Sequence, residues 1–208
     1  MAENQEAFKE LTYEQFEELK HSSYLIDTRQ PEIFASCYIK NSINIPGGGS
    51  FGSWAAMVIP NDQPLILIVE NQDTVLETIE LLSLVGLRNI IGFVVWTRKL
   101  SNEMDSLELL PPKELSITKN VFIVDVRTLA EWNFGHIQLA HHMELANFND
   151  LIKNIPADQK IALICGSGFR ASIAASILQS RGYKDVANVQ GGMQAWKKSN
   201  LPIVSLIP

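Results

Sequence analysis

The chain has 208 residues, 46% of them hydrophobic, with a formal net charge of −6, and this is enough apolar material for two modest cores. Its two cysteines exclude a disulfide framework, and no apolar run approaches the ~20 residues of a membrane-spanning helix. The polar residues 2–6 predict no signal peptide, and the lack of a basic stripe excludes nucleic-acid binding, so we predict a cytoplasmic protein with neither membrane nor nucleic acid as a partner.

The first predicted elements are a short helix and a strand. Thr12 and Gln15 have the spacing of a capping box, in which each side chain caps the backbone N–H of the other residue, and this predicts a helix that runs through Leu19. Tyr24–Asp27 is an apolar run typical of a buried strand. We interpret Cys37, which follows the strand, as a packed and inert thiol.

A glycine-rich segment at residues 47–54 interrupts the first half. It could form a lid or a docking strip, but we favour a loop whose Trp54 fills the core. Leu65–Val69 then predicts a buried strand and Leu76–Gly86 a helix. The loop between them, Glu70–Asp73, carries two carboxylates and no thiol or arginine, so it repels an anionic substrate.

Residues 106–112 are predicted to be a linker, because Pro111 and Pro112 end a helix and favour an extended connection. The chain then divides into domains at residues 1–105 and 113–208. Residues 1–105 hold seven Lys and Arg against fifteen Asp and Glu, whereas residues 106–208 hold ten against eight. This asymmetry could steer an anion to the second half, although solubility explains it equally well.

The second half opens with a strand predicted at Val121–Asp125. Asp125 and Arg127 flank the carboxyl end of this strand, and Glu131 follows in the next segment. We interpret these three residues as structural supports, with an Arg127–Glu131 ion pair that braces the loops.

Three histidines follow, and none is predicted to act as a base or a metal ligand. His136 is a supporting residue. The nucleophile predicted below is a cysteine thiolate held by backbone N–H groups, and such a thiolate needs no general base. His141 and His142 lack partner ligands at the spacing of a zinc site. No metal or other cofactor is therefore predicted.

The most informative segment is the loop Cys165–Arg170. It follows the predicted strand Ile161–Ile164 and leads into Ala171–Leu178, which has apolar residues at helical spacing. The loop glycines allow a tight turn, and its N–H groups, the helix N-terminus and the arginine form a cradle for an anion. The same field favours the thiolate, which is the nucleophilic form of cysteine. We therefore predict covalent catalysis by Cys165, with substrate bound by Gly166, Ser167, Gly168, Phe169 and Arg170.

Two other interpretations of this loop are weaker. A buried structural cysteine needs neither the glycines nor the arginine. A cysteine-dependent phosphatase has one residue more between its cysteine and its arginine than the four that separate Cys165 from Arg170. The shorter ring encloses a smaller anion, which favours sulfur chemistry.

The two halves are predicted to be copies of one unit. Asp27–Arg29 echoes Asp125–Arg127 at an offset of 98 residues, and an offset of 96 relates the later elements. Under the second offset, Val69 and Thr74 occupy the positions of the nucleophile and the loop arginine. The first copy therefore lacks the residues that covalent catalysis requires. Each copy alternates strands with helices, the pattern of a parallel sheet covered by helices on both faces.

Four motifs of the second half resemble the rhodanese family of sulfurtransferases. They are Cys165-x-x-Gly168-x-Arg170, Asp125-x-Arg127, Glu131 with Gly135-His136-Ile137, and Gly191-Gly192 with Trp196. The resemblance implies an α/β protein with two rhodanese-like domains, the first inactive and the second catalytic. After Ile137 the family has Gly-Ala and then a proline, whereas this chain has Gln138–Leu145; the departure concerns the shape of that loop and not the nucleophile.

A shorter resemblance concerns the first half. Asn44–Ala55, followed by Pro64, looks like the first rhodanese repeat behind a metallo-β-lactamase-fold persulfide dioxygenase in fused bacterial proteins. This implies a role in persulfide metabolism, with a persulfide dioxygenase as a partner.

We therefore predict a sulfurtransferase that forms a persulfide on Cys165. It would move a sulfane sulfur from a small anionic donor, thiosulfate or a low-molecular-weight persulfide, to a thiol or cyanide acceptor. Two alternatives stay open at this point. One is a non-catalytic regulatory or redox-sensing protein, and the other is an arsenate reductase or phosphatase-like enzyme.

Overall fold

The computed structural model describes residues 9–206, which divide after Asp105 into two compact units. Residues 2–6, on which the prediction of no signal peptide depends, lie outside the described residues. Within residues 9–206, no helix combines the length and the apolar character needed to cross a membrane.

The first unit is built on a parallel sheet. Its helices are α1 (Tyr13–Leu19), α2 (Pro31–Ser36), α3 (Phe51–Val58) and α4 (Val75–Leu84), and its strands are β1 (Tyr24–Asp27), β2 (Tyr38–Ile39), β3 (Ile43–Asn44), β4 (Leu65–Val69), β5 (Ile90–Val95) and β6 (Met104–Asp105). The sheet order is β3-β1-β4-β5, with every neighbouring pair parallel, and β2 pairs separately with β6.

The second unit repeats this plan and adds one edge strand. Its elements are β7 (Glu108–Leu110), α5 (Pro112–Leu115), β8 (Val121–Asp125), α6 (Leu129–Asn133), β9 (His141–His142), α7 (Phe148–Leu151), β10 (Lys160–Ile164), α8 (Phe169–Ser180), β11 (Val186–Val189) and α9 (Gly192–Lys198). The sheet order is β7-β11-β10-β8-β9, again all parallel. The predicted α/β class, with parallel sheets flanked by helices, is confirmed.

The central strands are largely apolar, as burial on both faces of a parallel sheet requires. Every residue of β4 is buried, and so is β10 from Ile161 onward. Helix α1 begins as predicted. The Thr12 hydroxyl accepts a hydrogen bond from the Gln15 N–H at 3.3 Å, and the Gln15 side chain accepts one from the Thr12 N–H at 3.1 Å.

The two sheets share their register as well as their strand order. Ile26 pairs with Ile43 in the first sheet, and Val124 pairs with His141 in the second, so both partners differ by the same offset of 98. Residues that share a register position can therefore be compared directly between the units.

The predicted linker at residues 106–112 is wrong. Glu108–Leu110 forms β7, which pairs in parallel with β11, and the side chains of Leu107 and Leu110 are buried. Pro112 begins α5, because a proline in the first turn of a helix loses no hydrogen bond there. Apolar side chains that reach the core draw this segment into the second sheet.

The prediction of a loop at residues 47–54 is also wrong in part. The segment turns into helix α3 at Phe51, and it is the Phe51 side chain that is fully buried, whereas Trp54 is half-buried. Gly47 and Gly48 stay outside the helix. An aromatic side chain does fill this part of the core, but it belongs to Phe51.

Candidate active site

Cys165 follows β10 directly, at the carboxyl end of the strand that is central to the second sheet. From β8 the chain continues to β9 on one side of the sheet, and from β10 it continues to β11 on the other. Cys165 therefore lies where the strand order reverses, the position at which parallel α/β sheets bind ligands. Its side chain is buried, with 1% of the residue exposed.

The loop after Cys165 holds the sulfur against the start of α8. The Gly168 N–H donates a hydrogen bond to Cys165 Sγ at 3.1 Å. Gly168 has φ +103°, a left-handed conformation that side-chain-bearing residues rarely adopt, and the next residue, Phe169, begins the 12-residue helix. The sulfur thus faces both a backbone donor and the positive end of a helix dipole. Ser167 and Phe169 are half-buried beside it.

The N-terminus of α9 donates hydrogen bonds to two carbonyl groups of the loop. The Met193 N–H donates to the Cys165 carbonyl at 2.8 Å, and the Gln194 N–H donates to the Gly166 carbonyl at 3.0 Å. Because a trans peptide points its N–H opposite to its C=O, the N–H groups of Gly166 and Ser167 point away from α9. The N–H groups of Met193 and Gln194 therefore orient the loop donors.

We expect Gly192→Ala to displace this loop. A Cβ at Gly192 would lie 2.8 Å from the Gly166 carbonyl carbon and closer still to the Cys165 carbonyl oxygen, so the backbone of the loop must move. We expect the sulfur transfer predicted from the sequence to fall at least tenfold, as about 1.4 kcal/mol of lost transition-state stabilisation would cause, measured by thiocyanate formation from cyanide.

Gly182→Ala is the matched control for this substitution. Gly182 also has a positive φ (+90°) but would place its Cβ in open space, so it carries comparable backbone strain, about 1–2 kcal/mol, without touching the loop. Equal losses of activity in both variants would mean that strain, not contact with the cysteine loop, causes the effect.

Asn188 supports the loop from β11, and the sequence reasoning missed it. Its Nδ2 donates to the Gly168 carbonyl at 3.0 Å, and the residue is 1% exposed. Its other polar side-chain atom, Oδ1, has no hydrogen-bond partner among the residues that the structure describes. The available signal was a single amide in an otherwise apolar buried strand. At the same register position, opposite Leu67, the first unit has Phe93.

Arg170 is paired with Glu131. Its Nη1 and Nη2 donate to the two carboxylate oxygens of Glu131, each at 2.7 Å. The predicted Arg127–Glu131 ion pair is therefore wrong: from Arg127, Glu131 accepts only a hydrogen bond at its backbone carbonyl, at 3.1 Å. Residue 131 is the third residue of α6, and there its carboxylate faces the loop arginine and also completes a capping box with Thr128.

This ion pair shifts the pKa values of both partners. The Arg170 guanidinium is the main reason that the pKa of Glu131 falls to about 2. The same hydrogen bonds raise the pKa of Arg170, and the negative field of Cys165 adds to the shift. Both groups are therefore charged across the range in which enzymes work.

Asp125 and Arg127 form a buried brace beneath the site. Arg127 Nε donates to Asp125 Oδ1 at 2.9 Å and Nη2 donates to Oδ2 at 2.6 Å, while Nη2 also reaches the Gly135 carbonyl at 2.8 Å. Asp27 and Arg29 of the first unit make the same two contacts at the same two distances. A brace that is retained in the unit with no counterpart of Cys165 supports the fold rather than the chemistry.

We expect Arg127→Met to destabilise the second unit by about 3–5 kcal/mol, because it leaves the Asp125 carboxylate buried without its partner. Arg29→Met should destabilise the first unit by a similar amount. Urea denaturation followed by amide NMR signals from each unit measures both effects. If Arg127→Met left stability unchanged but lowered turnover, the brace would belong to the chemistry.

Two of the histidines in the second unit, His136 and His142, pack against Trp132. The ring of His136 stacks on Trp132 at 3.6 Å, and its Nδ1 lies 2.9 Å from the Trp132 carbonyl oxygen. His142 Nε2 lies 2.8 Å from the Arg127 carbonyl oxygen, and His141 stacks on Phe122. Across residues 9–206 no group of three His, Cys, Asp or Glu residues could hold a metal ion.

The first unit has no cysteine loop at the equivalent edge of its sheet. A cavity of about 190 Å³ lies there, and its lining includes Thr28, Glu70, Asn71, Thr74 and Glu77. The strand that matches β10 ends at Val69, and the segment after it carries carboxylates in place of the cysteine loop. Cys37 ends α2 half-buried, and its carbonyl accepts a hydrogen bond from Arg29.

A known protein family matches the second unit of the chain. The family described as "Rhodanese-like domain" matches residues 112–199. A protein of Allochromatium vinosum named "Sulfurtransferase" is 36% identical over 104 residues, which is 50% of this chain and 95% of that protein. The chain belongs to the rhodanese-like family. The "Thiosulfate sulfurtransferase GlpE" of Pseudomonas putida is 30% identical over 97 residues, 45% of this chain and 88% of that protein.

A rhodanese-related protein of Thermoplasma volcanium, solved by crystallography, is 28% identical, with a TM-score of 0.45 over 47% of this chain and 97% of that one. In the present chain, the rhodanese-like segment 112–199 contains Cys165, Arg170, Glu131, Asn188 and Gly192. All the residues that shape the cysteine loop therefore belong to the rhodanese-like domain.

Proposed function

We propose that the second unit is a sulfurtransferase that carries a sulfane sulfur as a persulfide on Cys165. The observation that carries this proposal is the position of Sγ, which is buried at the N-terminus of α8 and accepts a hydrogen bond from Gly168 N–H at 3.1 Å. A backbone donor and a helix dipole stabilise negative charge at that position, and the domain has relatives named as sulfurtransferases.

In the first step, the Cys165 thiolate attacks the sulfane sulfur of the donor. A new S–S bond forms to Cys165, and the bond between the sulfane sulfur and the rest of the donor breaks. With thiosulfate, the leaving group is sulfite, which departs with the bonding electron pair. The N–H groups of Gly166, Ser167 and Gly168, together with Arg170, stabilise the negative charge as it passes from the thiolate to the leaving group.

In the second step, an acceptor nucleophile attacks the outer sulfur of the persulfide. The S–S bond to Cys165 breaks and the thiolate is restored with its electron pair. Cyanide takes the sulfur as thiocyanate, and a low-molecular-weight thiol takes it as a new persulfide. Both acceptors attack as anions, so a thiol acceptor first gives its proton to the solvent. Neither half-reaction assigns a proton to His136, which is stacked on Trp132.

We further propose that the first unit is a degenerate second copy of the same domain. Its support is the shared strand order and register and the shared Asp–Arg brace. The sequence resemblance of its Asn44–Ala55 segment to dioxygenase fusions makes a persulfide dioxygenase the partner that we propose.

Intact mass spectrometry tests the proposed function. After incubation of the whole chain with thiosulfate or methanethiosulfonate, we expect the mass to rise by one sulfur atom on Cys165, and cyanide should then restore the original mass and yield thiocyanate. A chain that gains no sulfur from either donor is not a sulfurtransferase. Gain of oxygen alone under mild peroxide would indicate a redox sensor, and release of phosphate from an aryl phosphate would indicate a phosphatase.

A further inference from the structure

We infer that Glu131 determines which sulfur donor the site accepts: by neutralising Arg170, it favours a donor with one negative charge over a dianion such as thiosulfate. The donor class that fits is a hydropersulfide or an organic thiosulfonate. This inference rests on the proposed sulfurtransferase function and names the specificity-determining residue of the same site.

The Glu131 carboxylate lies at the cysteine loop itself. A Cβ at Gly166 would lie 3.4 Å from Arg170 Nη2 and 3.8 Å from Glu131 Oε1. The ion pair therefore packs against the residue that follows Cys165. The side chains of Arg170 and Glu131 are 21% and 37% exposed, so a donor that approaches the loop meets both of them.

The charges at the loop sum to one negative charge before any donor arrives. Arg170 contributes one positive charge and Glu131 one negative charge, and the nucleophilic form of Cys165 adds another negative charge. A second negative charge on the donor then meets net repulsion at short range, in a partly buried site where water screens poorly. Arg170 keeps further N–H groups that are not engaged with Glu131, so a singly charged donor still finds a hydrogen-bond partner.

The helix cap does not require this negative charge. Helix α1 has the same capping box with an uncharged residue, Gln15, in the place of Glu131, and both of its hydrogen bonds form. A glutamine at position 131 can therefore cap α6 in the same way. The negative charge at position 131 is therefore needed for the ion pair with Arg170 and not for the helix cap.

The first unit lacks both members of the ion pair. The offset of 98 that relates α2 to α6 places Ile33 at the position of Glu131, and Thr74 stands at the position of Arg170. The Asp–Arg brace, in contrast, is present in both units. Glu131 and Arg170 thus have no counterparts in the unit that also lacks a counterpart of Cys165, as expected for a pair that serves the cysteine site.

The test compares two donors that differ by one charge. Thiosulfate is a dianion and methanethiosulfonate a monoanion, and each delivers its sulfane sulfur to the thiolate with an oxidised sulfur group as the leaving anion. With cyanide as the acceptor, thiocyanate formation gives kcat/KM for each. We expect the wild-type chain to favour methanethiosulfonate. Glu131→Gln should raise kcat/KM for thiosulfate, relative to methanethiosulfonate, by about tenfold or more, which corresponds to about 1.4 kcal/mol.

Glu114→Gln is the matched control, because Glu114 is an exposed carboxylate in the first turn of α5, outside the described site. It removes the same charge from the second unit and should leave the donor ratio unchanged. The inference is overturned if Glu131→Gln leaves the ratio unchanged, if it lowers both values equally, or if the control shifts the ratio as much. Absence of thiocyanate with both donors in the wild type would instead overturn the proposed function, and this inference with it.

Discussion

Cys165→Ser should abolish sulfur transfer while the second unit stays folded. Serine has nearly the shape of cysteine, and its hydroxyl can accept the hydrogen bond that Gly168 N–H now donates to Sγ at 3.1 Å. A serine hydroxyl without a general base is a poor nucleophile at neutral pH, and the Nδ1 of His136 is engaged with the Trp132 carbonyl oxygen at 2.9 Å. We expect thiocyanate formation to fall on the order of a thousandfold or more, the scale on which loss of a nucleophile acts.

The control for this substitution is the other cysteine. Cys37→Ser changes the half-buried residue at the end of α2 in the first unit and should leave turnover intact. Circular dichroism and thermal unfolding establish that both variants are folded. Sustained turnover in folded Cys165→Ser, with Cys37 still present, would assign the nucleophile to another residue.

Arg170→Ala should cause the second-largest loss of activity. It removes the positive charge at the loop and leaves the Glu131 carboxylate there without its partner. Loss of a charged hydrogen bond costs about 1.5–3 kcal/mol, so we expect kcat/KM for methanethiosulfonate to fall roughly 10- to 150-fold. The double variant Arg170→Ala, Glu131→Gln should recover part of that loss, since the Glu131 carboxylate that opposes the donor is then gone as well. Kinetics of the two single variants and the double variant complete a double-mutant cycle.

The sign of the coupling in this cycle is the informative result. If the double variant is as slow as Arg170→Ala alone, the Glu131 carboxylate has no influence on the reaction once its partner is absent. If the losses simply add, the two residues act independently, contrary to the paired hydrogen bonds of 2.7 Å.

Local signals predicted most of the secondary structure. Val121–Asp125 and Leu65–Val69 are strands as predicted, and the helix after the cysteine loop spans Phe169–Ser180, a little beyond the predicted Ala171–Leu178. These elements have strong apolar patterns that a short window of sequence contains in full. The segment 106–112 was mispredicted because a proline pair is equally compatible with an extended connection and with the start of a helix, and pairing with β11 decides between them.

The sequence by itself determined the location of the candidate nucleophile, because Cys165, the glycine turn and α8 are contiguous and their chemistry depends only on local geometry. It also indicated a relation between the halves, since the offsets of 98 and 96 residues are visible without coordinates. Only the tertiary structure decided the partner of Glu131, which is Arg170 and not Arg127. Only the tertiary structure placed Asn188 and Gly192 against the loop. These contacts depend on how β8, β10 and β11 lie beside one another, and strand neighbours in a parallel sheet are set by long connections that no local pattern specifies.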